Sequence, residues 1–250
     1  MTERTVPHIF SPERRRARYH RALARQRATD AARFVLDDMI EDIVERFDFT
    51  RAEPGSTLVI GDVTGQLAPA LQARGFDVES TGPDELHEEQ PYPRSYRYIL
   101  SLGALDTLND LPGALVHMRH ALEPGGMMIA QCLGAGTLPA MRQAVQVADG
   151  ERTHARIHPQ IDRPAASGLL SRAGFAKHVV DSRSLLARYG AFDRLVSDLR
   201  DQGLTGVLAD APPAFTRSSW ARALAGFEPL REEDGKVTET FEILSLTGWG

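Results

Sequence analysis

The residues with the clearest chemical signature lie in the stretch TLVIGDVTGQLAPAL, from Thr57 to Leu71. An apolar run ends on Gly61, a loop carrying Asp62, Thr64 and Gly65 follows, and a helix-like segment opens directly after it. Loop glycines let a backbone come close to a nucleotide, and the N–H groups at a helix start can hold its charge. Other chemistry-bearing residues are scattered. His154 and His158 in HARIHP stand four apart and would share one face of a helix, as in some metal sites, but Pro159 interrupts and no third ligand is near. Glu88 and Glu89 in HEEQ suit either a general base or a solvated loop, and the loop is favoured; His117 and His120 suit the solvent edge of a helix. The single cysteine, Cys132, lies in the apolar run GMMIAQCLG and reads as a buried strand residue. A nucleophile elbow, a phosphate loop with lysine, a paired-cysteine site and a zincin motif are all missing, so no catalytic residue is assigned.

The elements that must position these residues follow from periodicity. Leu36, Met39, Ile40, Ile43, Val44 and Phe47 recur at helical spacing and predict an amphipathic helix ending near Phe47. STLVIG is a short apolar strand, followed by a helix from about Gln66 to Arg74 that closes on Gly75. FDVES and YRYILSL read as strands. NDLPGALVHMRHALEPGG reads as a helix capped by Asn109 or Asp110 and stopped by Pro124, Gly125 and Gly126, and MMIAQCL as the next strand. Helices are expected from about Leu138 to Ala148, from about Pro164 to Ala173, around Phe192 to Leu199, and near Ser218 to Ala225. The strands FAKHVVD and KVTETFEILSLTG complete the pattern. Alternation of strands and helices predicts an α/β fold with right-handed crossovers and a mostly parallel sheet covered on both faces.

The 250 residues are 42% hydrophobic, enough for a full core, and the net charge of −5 is uneven. Residues 1 to 27 hold eight arginines against Glu3 and Glu13, so the rest of the chain is strongly acidic. Such a basic segment suits contact with an acidic protein, a nucleic acid or an anionic membrane face, or an Arg-rich presequence; the alternative is a helix folded back on its own acidic body. The acidic whole and the lack of aromatic residues beyond Tyr19 weigh against nucleic acid. Only Lys177 and Lys236 are lysine, which fits a GC-rich, bacterial source. With no apolar run of about 18 residues, a membrane span is not expected and a cytoplasmic location is.

The order of elements, the loop and LDTLNDLPGALVHMRHALEPGG together resemble class I S-adenosylmethionine-dependent methyltransferases. Downstream blocks sharpen this. IFSPERRRARYHRALARQRA, LNDLPGAL, LGAGTLPAMRQAVQVAD, HPQIDRPAASGLLSRAGF, SDLRDQG and TFEILSLTGW are similar to the methyltransferase-like complex I assembly factors of arginine-hydroxylase type, themselves related to the malonyl-carrier-protein methyltransferase of biotin synthesis. The resemblance runs from about Ile9 to Trp249. It implies a Rossmann-like seven-stranded sheet that binds S-adenosylmethionine, with a lid from the N-terminal helices: a basic arm and helical lid over 1–50, and a methyltransferase-like domain over 51–250 with helical insertions at about 134–173 and 190–230.

Against the family loop VLDLGCGTG, Val59 stands at the acidic position and Val63 at the middle glycine, whereas Gly61, Thr64 and Gly65 match. Asp62 is a candidate for a shifted acid. The ribose-binding acid expected after the second strand falls near Thr81 or Gly82. Between FDVES and YRYILSL too few residues remain for the family's helix, strand and adenine loop, so one strand and one helix are expected to be missing. The resemblance implies cofactor contacts from Gly61, Asp62, Thr64 and Gly65, from Glu85 and Leu86 in the shortened segment, and from Ser101 and Leu102 at the end of YRYILSL. It also places Asp106, Tyr189 and Asp198 toward the substrate, a core or capping role being open for the last two. Two functions follow: an S-adenosylmethionine-dependent enzyme modifying a protein acceptor or assisting respiratory complex assembly, with altered cofactor binding, or a non-catalytic pseudo-methyltransferase that docks a protein partner.

Overall fold

The computed structural model of the chain describes residues 8–86 and 88–250. Arg4 of the basic segment and His87 of HEEQ lie outside the described residues.

Each element starts where its capping chemistry directs. The Ser11 side chain accepts from the Arg14 N–H and Pro12 occupies the first turn of α1 (Pro12–Arg25). In α2 (Phe34–Thr50), Val35, Leu36, Met39, Ile43 and Phe47 form the buried stripe. Then come β1 (Ser56–Ile60), the short α3 (Leu67–Gln72), β2 (Asp77–Thr81) and β3 (Tyr96–Leu102). Asp110 accepts from the Gly113 N–H to cap α4 (Leu111–Ala121), which runs straight into β4 (Leu122–Leu133). The second half holds α5 (Pro139–Asp149), α6 (Arg163–Arg172) capped by Asp162, β5 (Lys177–Tyr189), α7 (Phe192–Asp201), α8 (Arg217–Phe227) with a Thr216–Ser219 capping box, and β6 (Val237–Trp249).

The six strands form one sheet in the order β2-β1-β3-β4-β6-β5. β1 to β4 pair in parallel, while β6 runs antiparallel to both β4 and β5. The sheet separates two cores. Val59, Leu100 and Ile129 face α2, α3, α5, α7 and α8, and Leu58, Ile99 and Met128 face α4 and α6. This alternation is the two-residue period of a strand buried on both faces.

Between β2 and β3 the described residues contain a single 3-10 turn, Pro83–Glu85, and neither the helix nor the strand of a full family sheet. β2 is therefore an edge strand. Three expectations need correction. The helix expected to stop at Pro124, Gly125 and Gly126 ends at Ala121, and those three residues lie within β4. The helix expected from Gln66 to Arg74 is shorter, since Ala73 and Arg74 already turn toward Gly75, whose φ is +88°. The strand expected at FAKHVVD continues to Tyr189, paired with β6 along its whole length, because polar residues on its exposed edge hide its alternation.

Candidate functional site

The parallel strands end at one rim of the sheet, where the loop after β1 meets the ends of β2 and β3. Gly61 turns with φ of +87°, and its N–H donates to the Thr81 carbonyl at 3.0 Å. A Cβ on Gly61 would lie 2.6 Å from the Leu102 carbonyl oxygen, so the glycine is required by close packing against the end of β3.

Asp62 turns inward and is 4% exposed. Its Oδ1 accepts from the Thr64 N–H at 2.9 Å, the Thr64 hydroxyl at 2.6 Å and the Gly65 N–H at 3.1 Å, and its Oδ2 accepts from the Leu67 N–H at 3.0 Å. The donors that a glycine loop and helix start would offer to an anion are thus taken by the chain's own carboxylate. Val59 and Val63 both lie in the core on the α2 side, Val59 fully buried and Val63 nearly so.

Above the loop lies α1. Arg18 donates to the Thr205 carbonyl at 2.9 Å, and burial pushes its guanidinium below its ordinary value against the pull of Asp106. Tyr19 packs over Gly82, where a Cβ would meet its ring at 3.1 Å; burial and then the Asp62 charge raise its hydroxyl pKa. Arg15 donates to the Thr107 carbonyl at 3.0 Å and pairs with Glu88 at 3.2 Å. Between Arg18, Tyr19, Leu36, Gly61, Val63 and Leu102 remains a cavity of about 20 Å³, room for about one water.

Of the residues singled out by sequence, Gly61 and Leu102 line this cradle and Asp62, Thr64 and Gly65 form its loop. The structure does not bring the rest there. Glu85 is exposed, Leu86 is buried in the core on the α4 side, and Ser101 is buried between its strand neighbours Ile60 and Ala130. Glu88 is a clamp, with its second oxygen accepting from the Asp110 N–H at 2.7 Å. His158 is buried and accepts from the Val207 N–H, and among the described residues no group of three or more His, Cys, Asp or Glu is placed to hold a metal. Cys132 is buried in β4. Tyr189 and Asp198 are also buried, and burial raises the pKa of each, Asp198 being paired with Arg194 at 2.8 Å.

Arg18 and Tyr19 were missed as site residues. Arg15, Arg18, Tyr19 and Ala22 recur at helical spacing, but arginines on a helix read as its solvent face, and only their buried partners reveal otherwise.

Residues 24–180 match a family described as "Methyltransferase domain". The chain is 31% identical over 251 residues to the malonyl-[acyl-carrier protein] O-methyltransferase of Gallionella capsiferriformans, covering 88% of this chain and 85% of that one. It is 26% identical over 238 residues to malonyl-[acyl-carrier protein] O-methyltransferase 1 of Coxiella burnetii, covering 88% and 83%. With the mitochondrial arginine-hydroxylase NDUFAF5 of Homo sapiens it shares 31% identity over 160 residues, 62% of this chain but only 46% of the relative, so that match spans about half of the human protein. By sheet order, loop position and these matches, the chain belongs to the methyltransferase-domain family, whose cofactor is S-adenosylmethionine.

Proposed function

We propose that this protein keeps the methyltransferase fold with an altered cofactor cleft, closed by its own N-terminal helix, and acts through protein contacts rather than methyl transfer. The observation that carries the reading is the cradle of about 20 Å³. Small-molecule sites run to about 300–1,000 Å³, so the residues here do not fit S-adenosylmethionine as they are arranged. Arg18 and Tyr19 fill its space, Asp62 consumes the loop donors, and the end of β2 offers Thr81 and Gly82 where a carboxylate would hold a ribose.

The docking surface in this reading is the exposed face of the basic segment around Arg21 and Arg27, since Arg14, Arg16 and Arg25 are held by the Leu208 carbonyl, Asp84 and Asp201, and the partner is an acidic protein surface. Among the described residues no helix is long and apolar enough to cross a membrane. Action in the cytoplasm and a role in assembling a larger complex belong to this proposal.

A second reading is favoured by 31% identity, over 88% of the chain, to a protein named as a methyltransferase: α1 swings aside, and the chain methylates an acceptor. Calorimetric titration with S-adenosylmethionine and S-adenosylhomocysteine separates the two. No heat at millimolar ligand supports the closed cleft, and micromolar binding overturns it. If an Arg18→Ala/Tyr19→Ala variant binds where the natural chain does not, α1 is the closing element.

A further inference from the structure

Where α5, α7 and α8 converge beside the end of β4, Met141, Val145, Phe192, Leu199, Phe215 and Trp220 line a cavity of about 280 Å³. That is near the lower bound for a small-molecule site, and its wall is mostly apolar and aromatic. Its polar side chains are Asp106, His158, Gln160, Thr205 and three arginines, Arg14, Arg156 and Arg200.

The Asp106 side chain is only 10% exposed and its Oδ1 has no hydrogen-bond partner. A buried carboxylate oxygen without a donor is an unmet demand, and native structures rarely leave one. Its Oδ2 lies 3.7 Å from His158 Nδ1. His158 Nε2 accepts from the Val207 N–H at 2.7 Å, so the neutral ring carries its proton on Nδ1, facing Asp106. The Phe10 ring meets the imidazole edge-on at 5.1 Å and fixes it.

Two of the three arginines of the wall are engaged, and the third, Arg200, is exposed. Arg156 pairs with Asp149 at 2.6 Å, donates to the Pro213 carbonyl and lies over the Phe215 ring at 4.2 Å; Arg14 donates to the Leu208 carbonyl. Among the described residues of the wall, the buried polar side-chain atom left without a partner is Asp106 Oδ1, and it calls for a hydrogen-bond donor.

We propose that this cavity binds a small ligand with an aromatic or short aliphatic body and one N–H-bearing head, an amine or amidine, which donates to Asp106. The site is separate from the cradle under α1 and needs no methyl donor.

Trp220 stands on the wall and reports occupancy by its fluorescence. The intact protein is titrated with phenethylamine and, separately, with 3-phenylpropionate, a carboxylate with a similar body. A Trp220→Phe variant identifies the signal, and a melting curve verifies that each variant folds. The amine is expected to bind at least about tenfold more tightly than the acid, and Asp106→Asn to weaken the amine by about tenfold while leaving the acid no weaker. Equal or tighter binding of the acid overturns the proposal, as does an Asp106→Asn variant that binds the amine unchanged. Absence of any saturable change at millimolar amine also overturns it. Should Asp106→Asn fail to fold, the ratio between the two probes on the natural chain decides. Because S-adenosylmethionine is absent throughout, neither outcome depends on whether the cradle binds it.

Discussion

A Cβ placed on Gly61 would lie 2.6 Å from the Leu102 carbonyl oxygen, and the φ of +87° is itself unfavourable for a side chain. Two penalties act at one residue, so Gly61→Ala should lower the unfolding free energy by about 2 kcal/mol or more in urea, with or without S-adenosylmethionine. The glycine that most suggested a cofactor loop is thus one that the fold needs on its own account. Asp62 makes the complementary case. Its carboxylate accepts from three backbone N–H groups and one hydroxyl, and Asp62→Ala would leave these donors without it. A loss of roughly 2–3 kcal/mol is expected, with Asp62→Asn losing less because one oxygen remains, read from denaturant midpoints. The loop, its position and its departures were legible in the sequence, since valine in place of glycine or acid is visible in one letter. What Asp62 does instead was not, because its partners are backbone groups that carry no residue identity.

Among the elements, α5 depends on a buried acid. Glu239 in β6 is fully buried and accepts from the N–H groups of Ala140 and Met141 at the start of the helix, at 3.2 and 2.8 Å, and from Thr240 at 3.0 Å. Burial raises its pKa above the ordinary 4.5, outweighing those bonds, which favour the charged form. The folded state therefore holds this proton to higher pH than the unfolded chain does. The stabilisation that Glu239 lends is fully present below about pH 4.5 and is lost as pH rises through the raised value. Glu239→Gln does not titrate, so its melting temperature should gain on that of the natural chain as pH rises from about 4 toward neutrality. A constant difference over that range would show that Glu239 does not titrate differently on folding. Elements with an apolar period, such as α2 and β3, were readable almost to their ends. The length of β5 and the inward face of α1 were hidden because polar side chains occupy their buried or paired positions, and only tertiary partners explain those.

At the scale of the whole molecule, α1 works as a strap across the rim of the sheet. On one side Arg15 reaches the Thr107 carbonyl and Glu88, whose other oxygen holds the Asp110 N–H at the start of α4. On the other side Arg18 holds the Thr205 carbonyl, and Arg25 pairs with Asp201 of α7, which also accepts from the Ala32 N–H. The missing strand leaves the β2 edge short, and α1, resting on the Pro83–Glu85 turn through the Arg16–Asp84 pair, spans toward α7 above it. If the strap couples these regions, Arg18→Ala should loosen more than one helix. Hydrogen exchange is expected to quicken together in α1, around Thr205 and around the Gly61 loop, while the paired core of β3 and β4 stays protected. Loosening confined to α1 would mean that the helix merely rests on the rim, and would remove the structural basis for a cleft closed from within. Loosening of all three regions without loss of the sheet would make α1 the element that decides whether this methyltransferase fold is open or shut.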